Sequence, residues 1–98
     1  MHRIIWDFLP APGREAEFQA SYSPRGPWAE LFRRAPGYLG TELGETPGRP
    51  GWYRTVDTWV SAEARANFLA GFGEEYQALD RACALLTAEE HKVSEGPF

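Results

Sequence analysis

The chain has 98 residues, 43% of them hydrophobic, with four Trp, four Tyr and six Phe, and a net charge of −4. That length suits one domain spanning 1–98 and leaves no room for a second, and the apolar share is too high for a disordered chain. Arg33-Arg34 is the only adjacent basic pair, which argues against a nucleic-acid-binding face, and a single cysteine, Cys83, excludes an internal disulfide.

Ile4 to Leu9 is a short run of Ile, Trp and Phe that ends at Pro10-Ala11-Pro12-Gly13, so it reads as strand one. Arg14 to Tyr22 reads as helix, with Phe18 and Tyr22 one turn apart. Ser23-Pro24-Arg25-Gly26-Pro27 interrupts it, and Trp28, Leu31, Phe32 and Ala35 resume helical spacing. The first helical segment is therefore expected in two pieces. After the break at Pro36-Gly37, Tyr38 to Leu43 is a second strand, Thr46 to Gly51 a turn-rich connector, and Trp52 to Val60 a third strand. Ser61 is a plausible N-cap. Phe68, Phe72, Tyr76, Leu79, Cys83 and Leu86 then trace one helix face, with Gly71 and Gly73 as places where it can kink or break. Glu90 to Glu95 is a fourth, weaker edge strand. The order β-α-β-β-α-β predicts an α+β, ferredoxin-like fold: a four-stranded antiparallel sheet with its helices on one face.

The opening segment lacks the apolar run and cleavage site of a signal peptide, and no apolar stretch approaches the ~20 residues of a membrane span. A cytoplasmic protein that binds neither membrane nor nucleic acid is expected. No cluster of Cys and His has zinc-ligand spacing. Both faces of strand one are apolar: Ile5, Asp7 and Leu9 on one, Ile4, Trp6 and Phe8 on the other. The helices are expected over the Asp7 face. Trp6 and Phe8 would then need another cover, either a second copy of the sheet, which makes the protein a homodimer, or the tail Gly96-Pro97-Phe98.

Three stretches resemble the antibiotic biosynthesis monooxygenase domain. They are Ile5-Trp6-Asp7-Phe8 with Pro12-Gly13, Phe18 and Tyr22; Trp28 to Leu43, in which Pro36-Gly37-Tyr38-Leu39-Gly40-Thr41-Glu42-Leu43 is the most specific part; and Tyr53 to Trp59 with Ser61, Ala64, Phe68-Leu69 and Glu75-Tyr76. The resemblance spans nearly the whole chain and implies a dimeric α+β barrel. It implies less about the reaction. Some members oxidise quinols or anthrone-like phenols with dioxygen and no cofactor, some bind and degrade haem, and some have no assigned activity.

The haem-degrading branch uses an Asn on strand one, a Trp on the second helix and a His further along it. Matched by spacing, this chain offers Asp7, Phe68 and Ala78 at those places, and its only histidines, His2 and His91, lie at strand ends and read as surface residues. Haem is therefore the weakest expectation. The cofactor-free reading needs only a pocket for a small aromatic ligand and a proton acceptor. That pocket would lie between sheet and helices, with Tyr22, Trp28, Phe68, Phe72 and Tyr76 binding substrate. Asp7, the one charged group within Ile4 to Leu9, would be poorly solvated there, which raises its pKa and suits it as catalytic base. No metal or other cofactor is expected. The alternative is a non-catalytic ligand-binding or interaction domain, in which those aromatics are core and Asp7 is a structural hydrogen-bond acceptor. Asn67 reads as solvated, and Asp57, beside Arg54 and Thr58, as part of a structural ion pair or hydrogen bond.

Overall fold

Proline and glycine mark where the elements of this chain stop and start. The computed structural model describes residues 1–98. Strand β1 runs His2–Pro10 and gives way to a turn at the second proline. Helix α1 (Glu15–Tyr22) ends before Pro24, and α2 (Pro27–Arg33) begins with proline at its first position, where the missing N–H costs nothing. The chain folds back so tightly between them that a Cβ on Gly26 would meet the carbonyl oxygens of Ala20 and Ser21 at 2.5 Å. Strands β2 (Tyr38–Glu45) and β3 (Tyr53–Trp59) form a hairpin. Ser61 then caps α3 (Ala62–Gly71), its Oγ accepting the Ala64 N–H at 3.0 Å.

The apolar run from Phe68 to Leu86 does not form a single helix. Gly71 ends α3, Gly73 opens α4 (Gly73–Cys83), and a 3-10 turn, Ala84–Leu86, leads into β4 (Thr87–Pro97). Phe68, Cys83 and Leu86 still reach the core, and Phe72, Tyr76 and Leu79 pack at its margin. The periodicity does mark an inward face, but the two glycines convert one rod into two segments that wrap the sheet. No helix is long and apolar enough to cross a membrane.

The sheet is antiparallel throughout, in the order β2-β3-β1-β4, with all helices on one side. This is the ferredoxin-like α+β arrangement expected. Which face of β1 the helices cover is the reverse of the expectation. Ile4 and Phe8 are the buried residues of the core, and the Phe8 ring lies 5.4 Å from Phe18 and 4.7 Å from Tyr22 on α1. Ile5, Asp7 and Leu9 therefore face away from the helices. The reason lies in the neighbouring strand. Asp7 pairs in register with Arg54, and Ile4 with Asp57, so the face that carries Trp59, Thr55 and Tyr53 inward carries Arg54 and Val56 outward. An inward Asp7 would have taken Arg54 with it and left Trp59, which is fully buried, in solvent.

The uncovered face holds Ile5, Leu9 and Val56, all half-buried, around the Asp7–Arg54 pair. The C-terminal tail does not cover it, because Gly96 and Pro97 are paired with Arg3 and His2 as the end of β4.

Candidate active site

The helix-facing side of the sheet is lined by the inward residues of all four strands, and a cleft opens between them and the helices. Its walls are Trp6 and Phe8 from β1, Tyr22 from α1, Trp28 and Phe32 from α2, and Tyr76 from α4. Polar groups reach it from Thr41 on β2, Thr55 and Asp57 on β3, Arg65 on α3, Asp80 on α4 and Glu90 on β4. The enclosed interior is small, about 70 Å³, and widens to about 550 Å³ when the space up to the open mouth is included. An apolar concavity with a few convergent polar groups is the usual form of a small-molecule site.

Of the residues the sequence offered, Tyr22, Trp28 and Tyr76 meet in this cleft. Trp28 stands 6.1 Å from Tyr22 and 5.2 Å, edge-on, from Tyr76. Phe68 does not line it. It is fully buried behind the cleft, 5.1 Å from Phe32 and 5.4 Å from Trp59. Phe72 stacks on Phe68 and faces a separate surface groove beside Gly37, Val60 and Asn67. Phe68 has core spacing because it is core, and Phe72 because it packs at the core's margin; nothing in a helical period separates a residue that fills space from one that borders it.

Asp7 lies on the opposite side of the sheet. Its carboxylate accepts from Arg54 at 2.8 and 3.0 Å and from Thr46 at 3.2 Å. The Arg54 hydrogen bond, more than any other contact, holds its pKa below the usual carboxylate value. An acid kept ionised by a bidentate guanidinium is a poor proton acceptor at neutral pH. The weakened acidity and the place among the aromatics expected of Asp7 both belong instead to Asp57.

Asp57 projects from the middle of β3 into the cleft. Its Oδ1 accepts from Thr41 Oγ1 at 2.6 Å, and Thr41 Oγ1 lies 2.6 Å from the Tyr38 hydroxyl. Thr41 has one proton and gives it to Asp57, so Tyr38 donates to Thr41. This relay fixes the carboxyl and leaves Oδ2 without a protein partner. Burial pushes Asp57 up to about 6, against the opposing effects of the Thr41 bond and the positive charge of Arg65. A base tuned close to neutrality is what proton abstraction from a weak acid requires. Asp57 does make the hydrogen bond expected of it, to Thr41, but no ion pair, because its sequence neighbour Arg54 faces the other way and binds Asp7. Strand alternation carried the missed signal: Asp57 shares its face with Trp59 and Thr55, and a carboxylate two residues from a fully buried tryptophan is itself drawn inward.

At the other end of the cleft, burial raises the Tyr22 hydroxyl well above the ordinary phenol range, with Cys83 and Glu90 adding to it, so Tyr22 stays neutral and able to donate. Glu90 is raised by burial and by the nearby charge of Asp80. Neither histidine enters the cleft. His2 is buried rather than on the surface, 2.9 Å from Glu95, and His91 stacks on Trp52 on the uncovered face, while Ala78 is exposed on α4. With Asp7 on the far face as well, the positions matched to the haem-degrading branch do not converge. No three His, Cys, Asp or Glu side chains gather as metal ligands.

No family model and no curated protein matches the chain. Solved structures do. A candidate antibiotic biosynthesis monooxygenase of Deinococcus radiodurans superposes with a TM-score of 0.73 at 17% identity, over 100% of this chain and 92% of its own. One from Bordetella bronchiseptica does so with a TM-score of 0.67 at 25% identity, over 95% and 94%. SnoaB from Streptomyces nogalater, a cofactor-independent oxygenase, matches with a TM-score of 0.63 at 24% identity, over 95% and 90%. The chain thus has the fold of structures named antibiotic biosynthesis monooxygenases, as its sequence resemblance implied.

Proposed function

We propose that this chain, which has the fold of the antibiotic biosynthesis monooxygenases, is a cofactor-independent oxygenase acting on a small hydroxylated aromatic of the quinol or anthrone-like kind. One observation carries the reading: a carboxyl group poised near neutrality, Asp57, stands at the floor of an aromatic cleft with one oxygen free. The ring of the substrate lies between Trp6, Trp28 and Tyr76, with its acidic proton toward Asp57. Asp57 takes that proton, and the resulting anion is a far better electron donor than the neutral phenol. It passes one electron to dioxygen, and the radical pair joins as a carbon–oxygen bond. The peroxide picks up a proton and loses water, turning a ring methylene into a carbonyl. One oxygen atom stays in the product and the other leaves as water, and all four electrons come from the substrate. The carboxyl returns the proton it took, so the reaction draws on no group outside substrate, dioxygen and side chain.

The interior of about 70 Å³ takes the edge of one ring, and the rest of a substrate lies in the wider mouth, within the whole cleft of about 550 Å³. The narrow interior supports a second reading, a barrel that binds an aromatic ligand without turning it over. We further propose that the uncovered sheet face, with Ile5, Leu9 and Val56, packs against a second copy of the chain, and that the protein works in the cytoplasm, where its one thiol stays reduced. The oxygenase reading is tested by following a panel of quinols and anthrones under heavy-isotope dioxygen. Label in one product oxygen, with matching oxygen consumption and no added metal or flavin, is expected. Tight binding without oxygen uptake would leave the binding-module reading in its place.

A further inference from the structure

Arg65 has no obvious reason to be where it is. It projects from α3 into the core with only 8% of its surface exposed, and it borders the cleft. Its Nη1 is buried and has no hydrogen-bond partner. No carboxylate comes within the 4.0 Å of an ion pair. Two acids that feel its charge are already engaged: Asp57 by Thr41, and Glu95 by His2 and Lys92. Four rings surround the guanidinium instead, Phe68 at 5.6 Å, Tyr76 at 5.8 Å, and Phe32 and Trp59 at 6.0 Å. Aromatic faces offset part of the cost of removing a cation from water, but they do not use its N–H groups. A buried donor without an acceptor is uncommon enough to need a cause.

The cause lies in what stands next to it. Asp57 is close enough to feel the charge of Arg65, yet too far to bond with it, and its Oδ2 is free. Both groups line the same cleft, and an oxygen atom placed between them would give a proton to Asp57 and take hydrogen bonds from Arg65. We propose that Arg65 is an oxyanion-binding residue, and that the cleft therefore holds acidic phenols as phenolates, with the ring oxygen between Arg65 and Asp57. The proton moves from the phenol oxygen to Asp57 Oδ2, so the charge inside the cleft is rearranged rather than increased. This rests on the reading that the cleft takes phenols, but not on their oxidation. The other ionisable groups lining the cleft are Tyr22 on α1, Tyr76 and Asp80 on α4, and Glu90 on β4, and Glu95 on β4 also feels the charge of Arg65. Burial keeps Tyr22 a neutral hydrogen-bonding group. The acids of β4 and α4 oppose an anion, so the preference has to come from Arg65.

The probe is para-nitrophenol, whose phenolate absorbs at longer wavelength than its neutral form and whose electron-poor ring does not react with dioxygen. It is added to the whole protein at a pH slightly below its own pKa. Wild type is expected to hold it as phenolate, with a bound-to-free phenolate ratio raised about tenfold or more, the scale of one opposite charge close by. Arg65→Met is expected to lose that enrichment while still binding para-nitroanisole, which cannot ionise. Arg65→Lys, which keeps the charge, retains part of it, and Asp57→Asn, which keeps the guanidinium, retains the phenolate band. A neutral bound form in wild type, no binding of the probe, or an unchanged band in Arg65→Met would overturn the proposal. Should Arg65→Met fail to fold, the wild-type spectrum and the contrast with Arg65→Lys still decide it. A phenolate band without oxygen consumption by any quinol would leave this inference standing and remove the oxygenase.

Discussion

Asp57 is raised to about 6 chiefly by burial, so ionising it costs the folded state something that the unfolded chain, with its ordinary value of 3.8, does not feel. The sign follows from linkage: its contribution to stability is whole below about pH 4 and is lost as pH rises through about 6. Asp57→Asn keeps an acceptor for Thr41 and removes the ionisation. That variant is expected to be more stable than wild type at pH 7, by about 1–3 kcal/mol at most, since a tenfold change in an ionisation constant is worth about 1.4 kcal/mol. The difference should vanish near pH 4, which chemical denaturation at the two pH values measures. A residue that gains stability when disarmed is behaving as active-site groups do. At this scale the sequence was least legible. Two acidic residues sit in apolar strands, and local composition ranks Asp7 above Asp57 because its run is the more apolar. The partner that neutralises Asp7, Arg54, is 47 positions away and reaches it through strand register, which a single strand does not encode.

The elements themselves were readable because each boundary has a local cause. Proline closes β1 and opens α2, the Ser61 hydroxyl starts α3, and Gly71 and Gly73 divide the last helical run. Gly37 is the position where a turn most needs glycine. It has a φ of +92°, and an added Cβ would lie 2.7 Å from the Ala64 Cβ and 2.8 Å from Val60 Cγ2. This contact seats the start of α3 against the turn before β2, and so sets where Arg65 enters the core. Gly37→Ala is expected to lower stability by roughly 1–3 kcal/mol, a fall in Tm of roughly 5–15 °C. Gly44→Ala, where nothing lies within 4 Å, should change Tm little in the same melting series. What the elements did not reveal is which side of β1 they cover. Alternation sorts Ile4, Trp6 and Phe8 from Ile5, Asp7 and Leu9, but with both sets apolar it does not orient them. The neighbouring strand β3 supplies the orientation, because only one choice buries Trp59.

For the whole molecule, a sheet with helices on one side leaves Ile5, Leu9 and Val56 on the other, and a second copy is the simplest way to bury them. With the faces reversed, the proposed contact between copies involves Ile5, Leu9 and Val56 rather than Trp6 and Phe8. Sedimentation at micromolar concentration should give about twice the 11.0 kDa chain mass, and Val56→Glu should give the single-chain mass by placing an unpaired carboxylate at the contact. The fold was legible from the order of strands and helices. The reaction was not, because it depends on which side chains converge in the cleft. The most direct measurement of that convergence is oxygen consumption by wild type and Asp57→Asn with the same quinol or anthrone across pH 5–8. The account predicts wild-type uptake that rises with an apparent pKa near 6 and a loss of about 100-fold or more in the variant, with its fold intact. Equal uptake by the two proteins, or none above the uncatalysed rate in wild type, would contradict it.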